Sequence, residues 1–292
     1  MGGTDTKIGL VDVNQQLLTS TVIPTEAETG AEAVIKRIGE AVLALMEQEQ
    51  IAMDQCIGVG VGVPGTVDRK AGMVVYSNNI KWEQVPMVSM LSAYLPVPIQ
   101  IANDADCAAL GEAVSGAAKD YQDVVMLTLG TGVGGGIILD GKIYEGGRMG
   151  GCELGHMVIV ENGEPCTCGR KGCLEAYASA TALRRVSEKK LGKSMEPAEI
   201  FALAESGDET AKEIVEDYTR KLGTGIVNIV NIFRPQALLL GGGIAAQGEK
   251  LLAPVREMVK TGCFGGVHGE IPEIKAAKLG NQAGMIGAAN LV

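Results

Sequence analysis

The spacing of apolar residues predicts a hairpin and then a helix at the start of the chain. Residues 6–13 alternate apolar with polar or small residues, 14–16 are polar, and 17–23 alternate again, as in an antiparallel β-hairpin. Residues 31–48 repeat apolar side chains at helical spacing. The residues of that apolar face are Val34, Ile35, Ile38, Val42, Leu43, Leu45 and Met46.

The same order of strand, hairpin and helix restarts beyond residue 115. The first part also carries predicted strands at 57–63 and 99–102 and a helix at 105–114. The second part carries predicted strands at 124–129, 136–140, 142–144 and 237–240 and helices at 180–192, 196–205, 209–232 and 283–290. The repetition predicts two α/β domains, 1–115 and 116–282, with the C-terminal helix 283–292 joining the first.

Composition narrows the class of protein. The chain has 292 residues, with 35 Asp and Glu against 25 Lys and Arg, a net charge of −10. Such a surface repels phosphate backbones, so we expect no nucleic-acid partner. The seven cysteines suit a reducing compartment. Neither a basic and apolar leader nor an apolar run of membrane-spanning length is visible, so we expect a cytoplasmic protein with no membrane partner.

One histidine and three cysteines predict a metal site. His156, Cys166, Cys168 and Cys173 are spaced His-x9-Cys-x-Cys-x4-Cys, and three thiolates with one imidazole complete the tetrahedral shell of a structural Zn²⁺. Glycines at 169 and 172 allow a short knuckle with positive φ. Four protein ligands leave no open position, which disfavours a catalytic zinc. The alternative is three buried or disulfide-bonded cysteines beside an unrelated histidine.

Several motifs in a fixed order carry a resemblance to a known family. They are Gly2-Gly-Thr4, Gly62-Val-Pro-Gly65, Asn103-Asp104, Gly130-Thr-Gly-Val-Gly-Gly-Gly136, Glu153-Leu-Gly-His156 with Cys166 to Glu175, and Asn231 to Ile244. Together they resemble the ROK family of repressors, open reading frames and sugar kinases, above all its glucokinase branch. The resemblance implies an actin-like, ribonuclease-H-like ATPase fold with an interdomain cleft. It also implies a homodimer, the state common among members of the family.

The resemblance also implies an activity, the phosphorylation of a hexose by ATP with Mg²⁺, most of all glucose to glucose 6-phosphate. Asp104 would be the general base and would take the proton from the sugar 6-hydroxyl. The other sugar contacts would come from Gly65, Asn103, Glu153, His156 and Glu175. From the residues alone, Asn-Asp before a helix equally suits an N-cap, and Pro-Gly at Gly65 equally suits a simple turn.

Glycine-rich turns are the candidate nucleotide contacts, because successive backbone N–H groups can form an anion-binding nest. The candidates for the phosphates are Thr4, Gly130, Thr131, Gly132 and Gly134. Gly241, Gly242 and Gly243 resemble the family's adenosine-side loop. The glycine runs lack the Gly-x4-Gly-Lys-Ser/Thr pattern of a P-loop. The run at 130–136 leads into a strand-like segment, which disfavours a Rossmann dinucleotide site. The adenosine-side glycines equally suit a plain strand-to-helix turn.

One departure from the family pattern affects the start of the chain. Family members carry a strand that ends in Asp-x-Gly-Gly-Thr, whereas Gly2-Gly-Thr4 here directly follows Met1. We therefore expect the first strand and its acidic residue to be missing, with Asp5 no obvious substitute near Mg²⁺. Two alternatives stay open: a ROK kinase for mannose, fructose or an N-acetylhexosamine, and a repressor or catalytically impaired sugar sensor.

Overall fold

A computed structural model describes residues 1–147 and 151–292 of the chain. These residues fall into two units. The first comprises Met1–Asp120, Gly136–Cys152 and Leu279–Val292, and the second comprises Tyr121–Gly135 and Glu153–Lys278. The C-terminal helix therefore belongs with the N-terminal residues. The domain boundaries expected from the sequence stay a prediction.

Strands and helices alternate along most of the described chain. The strands are β1 (Asp5–Val11), β2 (Leu17–Pro24), β3 (Val59–Val63), β4 (Thr66–Asp68), β5 (Met73–Ser77), β6 (Trp82–Val85), β7 (Ile99–Asn103), β8 (Val124–Leu129), β9 (Val133–Leu139), β10 (Lys142–Ile143), β11 (Ala237–Gly241) and β12 (Glu273–Ala276). The helices are α1 (Ala31–Gln48), α2 (Met87–Leu91), α3 (Asp104–Ser115), α4 (Glu175–Ala178), α5 (Ala180–Leu191), α6 (Pro197–Glu205), α7 (Glu209–Phe233), α8 (Glu249–Gly262) and α9 (Ala283–Ala289). In the part of the chain described, no helix has both the length and the apolar character to cross a bilayer.

The first unit contains the predicted hairpin and two further small sheets. Strands β1 and β2 pair antiparallel from Asp5↔Pro24 to Val11↔Leu17, which confirms the hairpin. Strands β3 and β7 pair parallel, so their carboxyl ends lie at the same edge. Strands β4, β5 and β6 form an antiparallel sheet that the sequence did not predict, because runs of three to five residues leave too little periodicity to detect.

Helix α1 confirms the predicted range 31–48 and buries one face. Its buried apolar residues join the core that includes Ile8 of β1, Ile101 of β7 and Leu91 of α2. Leu43, which the periodicity placed on the same face, is 39% exposed. The apolar face is therefore narrower than predicted, since Leu43 lies beside the stripe that Val42 and Met46 share.

Glycines let α9 lie directly against the backbone of the first unit. A Cβ atom on Gly60 of β3 would lie 1.6 Å from the Ala288 carbonyl oxygen, and one on Gly111 of α3 would lie 2.1 Å from that of Ala283. Reciprocally, a Cβ on Gly287 of α9 would lie 1.7 Å from the Cys107 carbonyl oxygen. Such contacts leave no room for any side chain larger than hydrogen. They fix α9 against the helix that begins at Asp104.

The second unit contains three parallel strands, β8, β11 and β12. Strand β11 pairs parallel with β8 on one side, Ala237 opposite Val124, and with β12 on the other, Ala237 opposite Glu273. All five residues of β11 are buried, as expected for a parallel strand covered on both faces. Helices α5, α6 and α7 confirm the three helices predicted between 180 and 232. Helix α8 and strand β12 were not predicted.

The observed bounds of strand β9 correct the prediction of a glycine loop. The strand begins at Val133, three residues before the predicted start, so Gly134 lies within a strand and not in a loop. Glycine has low strand propensity, so residues 133–136 carry no strand pattern in the sequence. Close packing accounts for Gly136, because a Cβ there would lie 2.7 Å from the Ala109 Cβ atom.

Replacing Gly287 by Ala tests the close contact of α9. The added Cβ has to displace the Cys107 backbone of α3, so we expect a loss of stability of about 1–3 kcal/mol in denaturant unfolding. Gly284→Ala in the same helix is the matched control, because nothing lies within 4 Å of its Cβ position. The control is expected to be neutral or stabilised by up to about 1 kcal/mol through helix propensity. Equal unfolding midpoints for the two variants would contradict the role given to Gly287.

Candidate active site and metal centre

The first group of candidate residues lies where β7 ends and α3 begins. Asn103 is the N-cap of α3, and its Oδ1 accepts from the backbone N–H groups of Ala105 at 2.8 Å and Asp106 at 3.4 Å. Its Nδ2 donates to the Gly65 carbonyl oxygen at 2.9 Å. The helix-cap alternative therefore holds for Asn103, whose side chain joins α3 to the loop after β3. One amide hydrogen remains for a ligand.

Asp104 is the first residue of α3, directly after the cap. Its side chain is exposed, and Oδ1 accepts from the Ala105 N–H at 3.0 Å. Desolvation by the surrounding protein raises the pKa of this carboxyl above its ordinary value. A carboxylate that keeps access to solvent and has a raised pKa is suited to accept a proton.

Gly65 is required by its neighbours in the first unit. Its φ is +110°, and a Cβ would lie 2.3 Å from the Tyr76 carbonyl oxygen of β5. The glycine therefore permits a close approach of the loop to β5. This packing role differs from both roles proposed from the sequence, a sugar contact and a simple Pro-Gly turn. The position of the Gly65 carbonyl is set by the Asn103 amide on its other side.

Thr4 lies in a tight turn at the start of β1. The Gly2 N–H donates to the Asp5 carbonyl oxygen at 2.8 Å, and the Thr25 N–H donates to the Thr4 carbonyl oxygen at 2.7 Å. The Thr25 hydroxyl also donates to the Gly2 carbonyl oxygen at 2.8 Å. Thr25 thus stabilises this turn through two hydrogen bonds. Thr4 itself is exposed.

The glycine turn of the second unit, residues 130–133, is tighter than the predicted loop. The Gly130 N–H donates to the Gly132 carbonyl oxygen at 3.0 Å. The Val133 N–H donates to Glu175 Oε2, also at 3.0 Å. The remaining amides of the turn, those of Thr131 and Gly132, are the candidates for an anion-binding nest.

Glu175 connects the glycine turn with the cysteine segment. While Oε2 binds the Val133 N–H, Oε1 accepts from the Thr167 hydroxyl at 2.9 Å and lies 3.7 Å from Cys166 Sγ. Both carboxylate oxygens therefore have partners in the second unit. Each oxygen has a further lone pair, so these contacts are compatible with the sugar contact expected for Glu175.

Short hydrogen bonds and two glycines shape the cysteine knuckle, residues 164–173. The Cys166 N–H donates to the Arg170 carbonyl oxygen at 2.9 Å, and the Gly169 N–H donates back to that of Cys166 at 3.0 Å. Gly169 and Gly172 have φ of +86° and +81°, as the sequence predicted. A Cβ on Gly172 would lie 1.8 Å from the Val160 carbonyl oxygen. Both the positive φ and this close contact therefore require glycine at position 172.

The four predicted ligands converge in space. One ligand atom from each of His156, Cys166, Cys168 and Cys173 lies within 4.8 Å of all the others. His156 Nδ1 is 3.5 Å from Cys166 Sγ, and the Cys168 and Cys173 sulfurs are 3.7 Å apart. A tetrahedral zinc with Zn–S bonds of about 2.3 Å separates its sulfur ligands by about 3.8 Å. The cluster is therefore compatible with zinc. Its three cysteines are free thiols and form no disulfide.

The pKa of the Cys173 thiol links ionisation of the cluster to metal binding. Desolvation, reinforced by the neighbouring thiols, raises its pKa to about 12. A metal ligand has to be a thiolate. A bound cation would offset the cost of ionising this buried thiol, which is the usual coupling between metal binding and proton release.

The remaining candidates occupy separate places in the second unit. Glu153 is exposed and precedes the short helical turn that ends at His156, whose N–H donates to the Glu153 carbonyl oxygen at 3.0 Å. Gly241 ends β11, and Gly243 begins a 3-10 turn. Gly242, with φ of +83°, would place a Cβ 2.4 Å from the Leu129 carbonyl oxygen, so it is needed for packing against the end of β8.

Two threonines were missed by sequence reasoning. Thr167 binds Glu175, and the Thr181 hydroxyl donates to the Thr131 carbonyl oxygen at 2.7 Å. The position of Thr167 between two candidate ligands was the only sequence signal for it. Thr181 carried none, because an isolated threonine near a helix start is common.

Comparison with known proteins identifies the family. The ROK family model matches residues 1–292, and the chain belongs to the ROK family. It is 36% identical to the glucokinase of Thermotoga maritima over 307 residues, 100% of this chain and 95% of that protein. It is also 33% identical to the xylose repressor of Bacillus subtilis over 236 residues, 81% of this chain and 61% of the repressor.

A solved structure supports the same assignment. The crystal structure of a ROK family glucokinase from Streptomyces griseus, in complex with glucose and AMPPNP, superposes with a TM-score of 0.80. The two chains are 33% identical, with 100% of this chain and 97% of that chain covered. The fold is thus the actin-like ATPase fold of ROK sugar kinases, as the motifs predicted.

Proposed function

We propose that this protein is an ATP-dependent hexose kinase that converts glucose to glucose 6-phosphate. The observation that carries the proposal is the β7–α3 junction. There, three hydrogen bonds fix the Asn103 amide, and the next residue offers a solvent-accessible carboxylate whose pKa is raised. Full-length similarity to a glucokinase and to a structure that holds glucose and an ATP analogue supports this assignment.

In this proposal Asp104 is the general base. It accepts the proton of the sugar 6-hydroxyl as the γ-phosphoryl group arrives in line, so that the attacking oxygen does not remain protonated. Asn103 positions the base through its cap of α3 and offers its remaining amide hydrogen to a sugar hydroxyl. Gly65, Glu153, His156 and Glu175 supply the other sugar contacts.

Nucleotide binding is assigned to backbone groups. The amides of Thr131 and Gly132 and the turn at Thr4 bind phosphate oxygens, and Gly241, Gly242 and Gly243 lie on the adenosine side. Mg²⁺ supplies charge neutralisation on the phosphates when bound. The phosphate and adenosine assignments follow the family resemblance. The exposed positions of Thr4 and Thr131 support the phosphate assignment.

The cysteine knuckle is proposed to hold a structural Zn²⁺. His156, Cys166, Cys168 and Cys173 supply the four ligands, and the second ring nitrogen of His156 remains to orient a sugar hydroxyl. The zinc would thus shape the segment that carries Glu153, His156 and Glu175 without taking part in phosphoryl transfer.

A sugar panel tests the function directly. Formation of ADP from ATP and Mg²⁺ is measured with glucose, mannose, fructose, N-acetylglucosamine and N-acetylmannosamine. We expect the highest kcat/KM with glucose. A higher value for another sugar would assign a different ROK kinase activity. Saturable sugar binding by calorimetry without turnover of any sugar would instead assign a sensor, a role that the xylose repressor relatives favour.

Substitution of Asp104 by Asn tests the base. The change keeps size and polarity and removes proton acceptance, so kcat should fall about 10²–10⁴-fold while glucose affinity stays similar. The raised pKa places the acid limb of the wild-type pH profile above the ordinary aspartate value of about 3.9, and activity should fall as pH drops through it.

The sign of the stability effect follows from the same pKa. Because the folded protein holds this proton more tightly than the unfolded chain, ionised Asp104 lowers the free energy of unfolding at neutral pH. Asp104→Asn should therefore unfold at the same or a higher temperature. Asp54→Asn, on an exposed turn, is the control for the charge change. An Asp104→Asn enzyme with more than a tenth of wild-type kcat would exclude Asp104 as the base.

Cys168→Ser tests the metal. We expect about one zinc per chain in the wild-type protein by elemental analysis, and loss of zinc together with a large loss of stability in the variant. Cys56→Ser is the matched control, because Cys56 is a free cysteine outside the cluster. Zinc-free wild-type protein after purification with added zinc would refute the structural site, as would full zinc content in the Cys168 variant.

A further inference from the structure

The segment that follows Cys173, the last cysteine of the knuckle, binds the glycine turn at three points. Glu175 Oε2 accepts from the Val133 N–H at 3.0 Å. The Ala180 N–H donates to the Gly130 carbonyl oxygen at 2.8 Å, and the Thr181 hydroxyl donates to that of Thr131 at 2.7 Å. These three contacts all come from residues within eight positions of Cys173.

Glu175 is the part of this segment that also reaches the cysteines. Its second oxygen accepts from the hydroxyl of Thr167, which lies between Cys166 and Cys168. A hydrogen bond to an ionised acceptor is shorter and stronger than one between neutral groups. The Thr167 hydroxyl therefore fixes the orientation of a carboxylate whose opposite side binds the glycine turn.

The glycine turn packs closely against the Glu175 carboxylate at Gly132. A Cβ on Gly132 would lie 2.4 Å from Glu175 Oε2, whereas a Cβ on Gly130 would have nothing within 4 Å. Neither glycine has a positive φ, so the difference between them is one of space alone. The carboxylate is thus seated directly against the part of the turn that offers its amides to an anion.

We propose that Thr167 and Glu175 form a tether through which the cysteine knuckle positions the nucleotide phosphate turn. Thr167 is a positioning residue: it orients Glu175, and Glu175 holds the Val133 amide so that the amides of Thr131 and Gly132 converge. The tether couples the folded, metal-competent knuckle to ATP affinity within the second unit. The inference rests on the proposed function for its ligand, a nucleoside phosphate, and the contacts themselves stand apart from it.

Thr167→Val and Thr167→Ser form the test pair. Valine matches threonine in shape and removes the hydroxyl, whereas serine keeps it. Loss of one hydrogen bond to a charged, partly exposed acceptor predicts an affinity for ADP about three- to tenfold weaker in the valine variant, by calorimetry. The KM for ATP should rise by a similar factor, and the serine variant should restore wild-type values.

Amide hydrogen exchange supplies a readout that needs no activity. In Thr167→Val the Val133 amide should exchange faster than in the wild-type protein, while zinc content by elemental analysis is unchanged. Wild-type exchange at Val133 and wild-type ADP affinity in a zinc-replete Thr167→Val protein would overturn the tether.

A second pair approaches the same contact from the turn, should Thr167→Val fail to hold zinc. Gly132→Ala displaces the Glu175 carboxylate, and Gly130→Ala does not. We expect faster exchange at the Val133 amide in Gly132→Ala only, with zinc retained in both proteins. Equal Val133 exchange in the two variants would overturn the proposal.

The tether and the proposed function fail in different ways. If the exchange results hold but no sugar is phosphorylated, the tether stands and the kinase assignment falls. If glucose is phosphorylated with wild-type constants by Thr167→Val and exchange at Val133 is unchanged, the kinase stands and the tether falls.

Discussion

The hydrogen bonds of the Asn103 amide are the interaction on which the first unit's candidate site depends. A strand that turns directly into a helix leaves the first helical N–H groups without partners. Asn103 supplies an acceptor to two of them and uses its donor on the Gly65 carbonyl. The same side chain therefore begins α3, anchors the loop after β3 and sets where Asp104 projects. The proposed chemistry depends on this cap because a general base acts only from a fixed position.

Close backbone contact is the second constraint, and it accounts for many of the 41 glycines. At Gly65, Gly172 and Gly242 an added Cβ would lie within 2.4 Å of a carbonyl oxygen. Each of these glycines lies beside a candidate ligand site, yet each is required by protein atoms. In this chain these motif glycines therefore serve the packing that shapes the candidate sites, whatever contact they make with a ligand.

The cysteine knuckle organises the second unit in a comparable way. Its turns are fixed by backbone hydrogen bonds and by two glycines with positive φ, and its last cysteine leads at once into α4. Glu175, two residues on, binds both Thr167 and Val133. The family resemblance predicts a sugar contact for Glu175. In the structure its carboxylate connects the glycine turn with the cysteine knuckle.

The sequence by itself determined the long periodic elements and the identity of the candidate metal ligands. Helix α1, the β1–β2 hairpin and α7 have enough residues for their period to stand out. A histidine and three cysteines spaced around tight glycine turns are typical of a zinc site, and the structure brings these four residues together. The motif order likewise identified the family and its fold. These features are local, or they depend on residue types with few alternative roles.

Only the tertiary structure decided which side chains share a contact. Strands β4 to β6 are too short to show a period, and β9 begins among glycines that have no strand propensity of their own. The pairings of Asn103 with Gly65, and of Glu175 with Val133 and Thr167, join residues 38, 42 and 8 positions apart. Such contacts leave no periodic signal in the chain, because they arise from where the folded backbone brings distant atoms together.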